Sequence, residues 1–236
     1  MGLTGLAVAV AGTVVCASVP SASAQTGAEL SLATDDLFRG HSLSEGRPVA
    51  RGELSYDHNS GVYAGVAIAA VATRYDGIEF LNVQENVGYA YTVTPSIGID
   101  LGLVGYTYGK SYSGGREVTY FEPYLGVTFP NFTIHVHYAP DYLSLGQATI
   151  YADIEANRAI ARHVHLNLHL GVLAPVQAIV ADGPVRSQFD WRAGVSIDKG
   201  GFALRFSLAG LGPGADYYAG EYHGHTKVIL GISHIF

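Results

Sequence analysis

The chain ends on Thr226-Lys227-Val228-Ile229-Leu230-Gly231-Ile232-Ser233-His234-Ile235-Phe236. Counting back by twos gives Phe236, His234, Ile232, Leu230 and Val228, an apolar series broken once, at His234. The opposed series holds Ser233, Gly231 and Lys227, with Ile229 and Ile235 as exceptions. Side chains of a strand alternate between two faces, so this pattern describes a strand with one apolar and one polar side. The pattern recurs upstream. Val164, Leu166, Leu168, Leu170 and Val172 oppose His163, His165, Asn167, His169 and Gly171. Phe189, Trp191, Ala193, Val195 and Ile197 oppose Asp190, Arg192, Gly194, Ser196 and Asp198. Phe132, Ile134, Val136 and Tyr138 oppose Thr133, His135, His137 and Ala139, and Phe202 to Leu208 repeats the theme against Arg205 and Ser207.

Alternation alone also suits a half-exposed strand of a soluble sandwich. The connections separate the two readings. Strands are expected near 28–34, 48–57, 62–71, 79–91, 96–108, 117–128, 132–139, 147–156, 163–173, 188–198, 201–210 and 225–236. The count is about twelve, falling to ten if 62–71 and 79–91, whose faces alternate poorly, are misread. Short connections (58–61, 92–95, 129–131, 156–162, 198–201) take turns with longer ones (35–47, 72–78, 109–116, 140–146, 174–187, 211–224). Short turns on one rim and long loops on the other are the rhythm of a transmembrane antiparallel β-barrel, and a sandwich has no reason to sort its loops so. The apolar faces would meet outer-membrane lipid and the polar faces would line a lumen.

Composition agrees. Of 236 residues, 14% are charged, and 30 Gly and 16 Tyr stand out. Low charge density with many Gly and Tyr suits a curved sheet whose rims sit at lipid–water boundaries. A net charge of −7 argues against nucleic acid as a partner, since phosphate binding needs a basic face. Leu6 to Val19 is apolar and is followed by Pro20 and the small-residue run Ser21-Ala22-Ser23-Ala24. That is a signal-peptide pattern, with cleavage expected before Gln25, so residues 1–24 are read as a targeting segment and 25–236 as one barrel domain. The n-region is atypical in having no Lys or Arg. Cys16, the only cysteine, lies in that segment after Val15, a poor context for lipidation. Beyond it no run of about 18 apolar residues suggests a membrane helix, so only a closed barrel would span a bilayer.

The candidate lumen-lining residues are Arg51, Glu53, His135, His137, Asp153, Glu155, His163, His165, Asp190, Arg192 and Arg205. Their mixed signs suit either charge ladders along a channel or pairs that narrow it. Side chains at i and i+2 of a strand point the same way, about 7 Å apart at the Cα, so a site of two His and one carboxylate is geometrically available. The plainer alternative is a wet polar lining, and a third is protonation of the histidines near neutral pH. Tyr63, Tyr75, Tyr106, Tyr108, Tyr120, Tyr124, Tyr138 and Trp191 are candidates for aromatic girdles. No nucleophile elbow or Ser–His pair on an apolar wall points to catalysis, so neither an enzyme nor a cofactor is expected.

Thr34-Asp35-Asp36-Leu37-Phe38-Arg39-Gly40-His41-Ser42-Leu43-Ser44 and Pro48 to His58 resemble the opening of the TorF porin family, sharpest at Phe38-Arg39-Gly40. Gly61 to Gly65, Phe121 to Gly126 and Tyr138 to Tyr142 resemble its later segments more loosely. The resemblance implies an outer-membrane barrel that passes small polar solutes or ions. The closing strand, with Phe236 last, likewise resembles the ending that barrel-assembly machinery recognises in this class. A non-conducting barrel that binds through its long loops is the alternative. Arg39 would either guide anions at the mouth or fold inward as a clasp, and the clasp is favoured.

Overall fold

A computed structural model describes residues 24–73, 77–109, 117–176, 185–212, 217–218, 221–222 and 226–236. Residues 1–23 of the expected signal segment, Cys16 included, lie outside the described residues, as do Tyr75 and parts of the long loops. Twelve strands form one closed barrel. They are β1 (Gln25–Ala33), β2 (Val49–Asp57), β3 (Val62–Thr73), β4 (Gly77–Thr94), β5 (Ile97–Tyr108), β6 (Val118–Thr128), β7 (Phe132–Ala139), β8 (Thr149–Ala161), β9 (Val164–Pro175), β10 (Gln188–Lys199), β11 (Phe202–Leu211) and β12 (Lys227–Ile235). Each pairs antiparallel with its sequence neighbours, and β12 closes on β1 from Glu29↔Ile235 to Ala33↔Gly231.

The two-residue period decides the wall. In β6 and β7 exposed and buried side chains alternate almost without a break. The outward series is apolar: Leu30 and Leu32, Leu101 and Leu103, Leu168, Leu170 and Val172, Leu204 and Phe206, Val228 and Leu230 are all exposed. An apolar belt this continuous suits hydrocarbon. Glu85 departs from it. It stands between Val83 and Val87 in the outward series of β4, opposite Val66 and Gly105.

The poorly alternating stretch has a local cause. Between β3 and β4 the register shifts, Ala69 opposing Asn82 while Ala70 opposes Phe80. Leu81 is the extra residue, so Leu81 and Asn82 are both buried while Phe80 is exposed. A bulge of this kind interrupts any simple period. Three connections are also shorter than expected. Thr92, Val93 and Thr94 extend β4, leaving Pro95-Ser96 as the turn. Residues 156–161, expected as loop, contain neither Gly nor Pro and pair with β9 as far as Ala161↔Val164, with a bulge after Ala159. The long connection expected at 72–78 shrinks to 74–76 because β3 and β4 both run into it.

Inside, tyrosines lean across glycines of the neighbouring strand. A methyl added at Gly102 would stand 2.5 Å from Tyr124 Oη, and one at Gly171 would stand 2.1 Å from Tyr151 Oη. The absent side chains make room for rings that span the lumen.

Candidate functional site: a filled lumen

The Phe38-Arg39-Gly40 block is the tip of a hairpin that enters the barrel from the long-loop rim. Leu37–Phe38 pairs with His41–Ser42, and Arg39 and Gly40 turn the chain at φ 49° and 79°. Two successive positive φ values are what a two-residue hairpin turn needs. Glycine is required at the second position for a further reason: a Cβ there would lie 2.6 Å from Leu211 Cδ2 and 2.9 Å from Asp190 Cβ.

Each tip residue then has a partner. Phe38 packs edge-on against Tyr106 and Tyr108, at ring separations of 5.1 and 5.9 Å. Arg39 Nη2 donates to Glu122 Oε2 at 2.5 Å, with both side chains buried. Its guanidinium also stands 4.0 Å from the Tyr151 ring and 5.3 Å from that of Tyr142. Arg39 is therefore an inward clasp. The rest of the loop is held by Asp35, whose Oδ1 accepts from Ser42 Oγ at 2.5 Å and Ser44 Oγ at 2.7 Å, and whose Oδ2 accepts from Lys227 Nζ at 3.3 Å. Asn82 Nδ2 donates to Asp36 Oδ2 at 3.2 Å. Burial pushes the Asp36 carboxyl above its usual range, against the pull of Arg51.

Toward the long-loop rim the lumen is apolar: Phe38, Leu43, Val71, Leu81, Val104, Tyr108, Val118, Tyr120 and Leu173 form one buried cluster. Tyr63, Tyr106, Tyr108, Tyr120 and Tyr124 were expected among the girdle candidates, and the structure corrects this: all five are buried on the inner face. Each shares its parity with inward neighbours, so a place near a strand end does not by itself put a tyrosine at the lipid boundary. Tyr138 does face outward, and Trp191 shares the outward parity of Phe189.

Below the clasp the lining turns polar. His135 Nδ1 lies 3.1 Å from Asp153 Oδ1, and His137 Nε2 lies 3.6 Å from Asp153 Oδ2. His169 is held on both sides, Nδ1 2.9 Å from Glu155 and Nε2 2.8 Å from Asp190. Arg192 pairs with Glu155 at 3.2 Å, and Tyr151 Oη donates to Asp190. Asp100 accepts from Tyr63 Oη at 2.6 Å, and Tyr63 Oη also contacts Tyr124 Oη. On the opposite wall Arg51 Nη2 donates to Gln84 at 3.1 Å, Arg205 reaches Glu29 at 3.5 Å, and Glu53 is in register with Glu29. His165 sits near the short-turn mouth, 3.3 Å from Asp198. His163 is a correction. It occupies the β8–β9 turn, exposed, at φ 69°, because the extension of β8 moves the turn onto it. Cavities of about 40 and about 10 Å³ flank the hairpin. Since a water needs roughly 10–15 Å³, the larger has room for an ion or a few waters and the smaller for one water at most.

Sequence reasoning missed Glu122 and Asp100, each central to this network. Glu122 carried a usable signal, since it alternates with Val118, Tyr120 and Tyr124 on one face. Aromatics on both faces of β6 concealed which face is the interior.

These features define a twelve-stranded barrel of the outer-membrane porin fold, its lumen occupied by a hairpin. Its architecture is similar to that of the KdgM porin (9% identity, TM-score 0.55) over 89% of this chain and 99% of that one. It is also similar to the NanC porin (12% identity, TM-score 0.57) over the same shares, 89% and 99%. A KdgM structure described as a complex with disordered oligogalacturonate matches at 9% identity and TM-score 0.54, covering 89% of this chain and 99% of that one. No curated protein matches the sequence. Residues 17–233 match the Gcw_chp model, described as a bacterial protein of unknown function, and the chain belongs to that family.

Proposed function

We propose that the protein is a narrow outer-membrane porin for small cations and uncharged polar solutes, closed in this conformation by the Leu37–Ser42 hairpin. The observation that carries the reading is the inner face itself. It is polar along much of its length, and its carboxylates (Glu29, Asp35, Asp36, Glu53, Asp100, Glu122, Asp153, Glu155 and Asp190) outnumber its cations (Arg39, Arg51, Arg192, Arg205 and Lys227). A wet path lined by fixed negative charge lowers the cost of moving cations across hydrocarbon and opposes anions. The acidic sugar chain of the KdgM complex, an oligogalacturonate, would meet the wrong sign here. The resemblance to the TorF porins and the porin-like fold support the same class. Within this reading residues 1–24 are a cleaved signal, the short turns face the periplasm, the apolar wall meets outer-membrane lipid, and Phe236 engages the barrel-assembly machinery.

The packed apolar layer at the long-loop rim favours one other reading, a non-conducting barrel. Current through a planar bilayer separates the two. Protein in which residues 37–42 are replaced by a Gly-Ser linker is expected to give stepwise, cation-selective openings larger than those of the unaltered barrel. A silent bilayer from that variant, with the heat-modifiable mobility of a folded barrel, would sink the porin reading.

A further inference from the structure

We propose a binding site for one divalent transition-metal ion beneath the hairpin, with His135, His137 and Asp153 as its protein ligands. The site does not depend on conduction. His135 and His137 are two residues apart on the inner face of β7, and Asp153 of β8 stands in register with His135. All three are buried, and one ligand atom from each lies within 4.8 Å of the others. His135 Nδ1 stands 3.1 Å from Asp153 Oδ1 and His137 Nε2 3.6 Å from Asp153 Oδ2, each close to the ligand–ligand edge of about 3.4 Å of a tetrahedral site with bonds near 2.1 Å.

Hydrogen bonding singles out these histidines. His169, in the adjoining cluster, has a carboxylate on each nitrogen and is complete as it stands. His137 is different. Its side chain is 6% exposed, its Nδ1 makes no hydrogen bond, and its ring lines the cavity of about 40 Å³ under Arg39. Glu122 Oε2 lies 3.6 Å from that Nδ1. With Nε2 on an ion, Nδ1–H would turn to Glu122, the carboxylate behind a ligating histidine that fixes its tautomer.

Charge agrees. Asp100, Glu122 and Asp153 surround the two imidazoles, and Arg39 is the guanidinium among them. Carboxylates outnumber the guanidinium around the imidazoles, a setting that favours a bound cation. Two imidazoles and one carboxylate suit zinc, cobalt or nickel better than the oxygen-seeking calcium and magnesium. The fourth position faces the cavity, which has room for a water.

The test uses protein expressed from the full chain, assembled in the membrane, extracted in detergent and stripped with chelator. Incubation with Zn²⁺ and gel filtration in metal-free buffer is expected to leave about one zinc per chain by elemental analysis. Retention is expected to fall at least about tenfold in His137→Gln and His135→Gln and to persist in His169→Gln. Heat-modifiable mobility reports whether each variant is folded. Should the variants not fold, Co²⁺ in the unaltered protein decides: intense visible bands of a low-coordinate nitrogen–oxygen site support the assignment, and an aquo-ion spectrum overturns it. Folded protein that retains no zinc, or retains as much in His137→Gln, also overturns it.

Discussion

Arg39→Ala is expected to free the hairpin from the lumen and to destabilise the barrel by about 3–5 kcal/mol. The magnitude follows from what remains behind. Glu122 is 1% exposed and 2.5 Å from Arg39 Nη2, so the substitution leaves a carboxylate buried without its cation. Breaking a buried pair from one side costs about that much, while the intact pair contributes far less than its Coulomb attraction suggests. Loss of the cation over the Tyr151, Phe38 and Tyr142 rings adds to the effect. The double variant Arg39→Ala with Glu122→Ala should recover part of the loss, because the orphaned charge is then gone. Denaturant unfolding measures the energies, and limited proteolysis between residues 34 and 48 reports the position of the loop. A loop still protected in a barrel of unchanged stability would remove Arg39 from its role as clasp.

Leu170→Arg is the second large effect. Leu170 lies within β9, 48% exposed, between Ile154 of β8 and Trp191 of β10. If that wall faces hydrocarbon, a guanidinium there costs about 2–4 kcal/mol near the midplane. A soluble barrel would tolerate the same exposed substitution at about 0.5 kcal/mol or less. Asn157→Arg, on the inner face near the short-turn mouth, serves as the control and should cost about 1 kcal/mol or less. Glu85 supplies the opposite sign. Its replacement by Leu removes a carboxylate from the apolar wall and should stabilise by about 1 kcal/mol. Unfolding from lipid vesicles, followed through the fluorescence of the single tryptophan, Trp191, measures all three.

The wall was legible because lipid and lumen impose opposite polarities on alternate residues, so β7, β9, β10, β11 and β12 announce themselves in the sequence. The bulge at Leu81 was not, since a shift of one residue destroys the very period that is read. The interior was legible only in its charges. His135, His137, Asp153 and Asp190 stand out against apolar neighbours, whereas Tyr106, Tyr108 and Tyr120 read equally well as rim aromatics. Their side follows from strand parity; what they pack against is the inserted hairpin, held by a contact between Arg39 and Glu122, 83 residues apart in the chain. Strand periodicity carries no information about such a contact.

The closing seam has a consequence for how the molecule is made. β1 meets β12 through five register pairs, whereas on its other edge it meets β2 through nine. The β6–β7 pair also has five, but residues 129–131 join those two strands. At the closing seam the partners are about 200 residues apart, so no local turn helps to bring them together. Eleven seams between sequence neighbours can form in turn, but this one waits for the whole sheet to curl. It should be the last to zip and the first to part, a built-in lateral slit in an otherwise continuous ring. Amide exchange is expected to be faster at Ile232 and His234, whose N–H groups face β1, than at Leu168 or Leu170; equal protection would mean that the ring opens as a single unit.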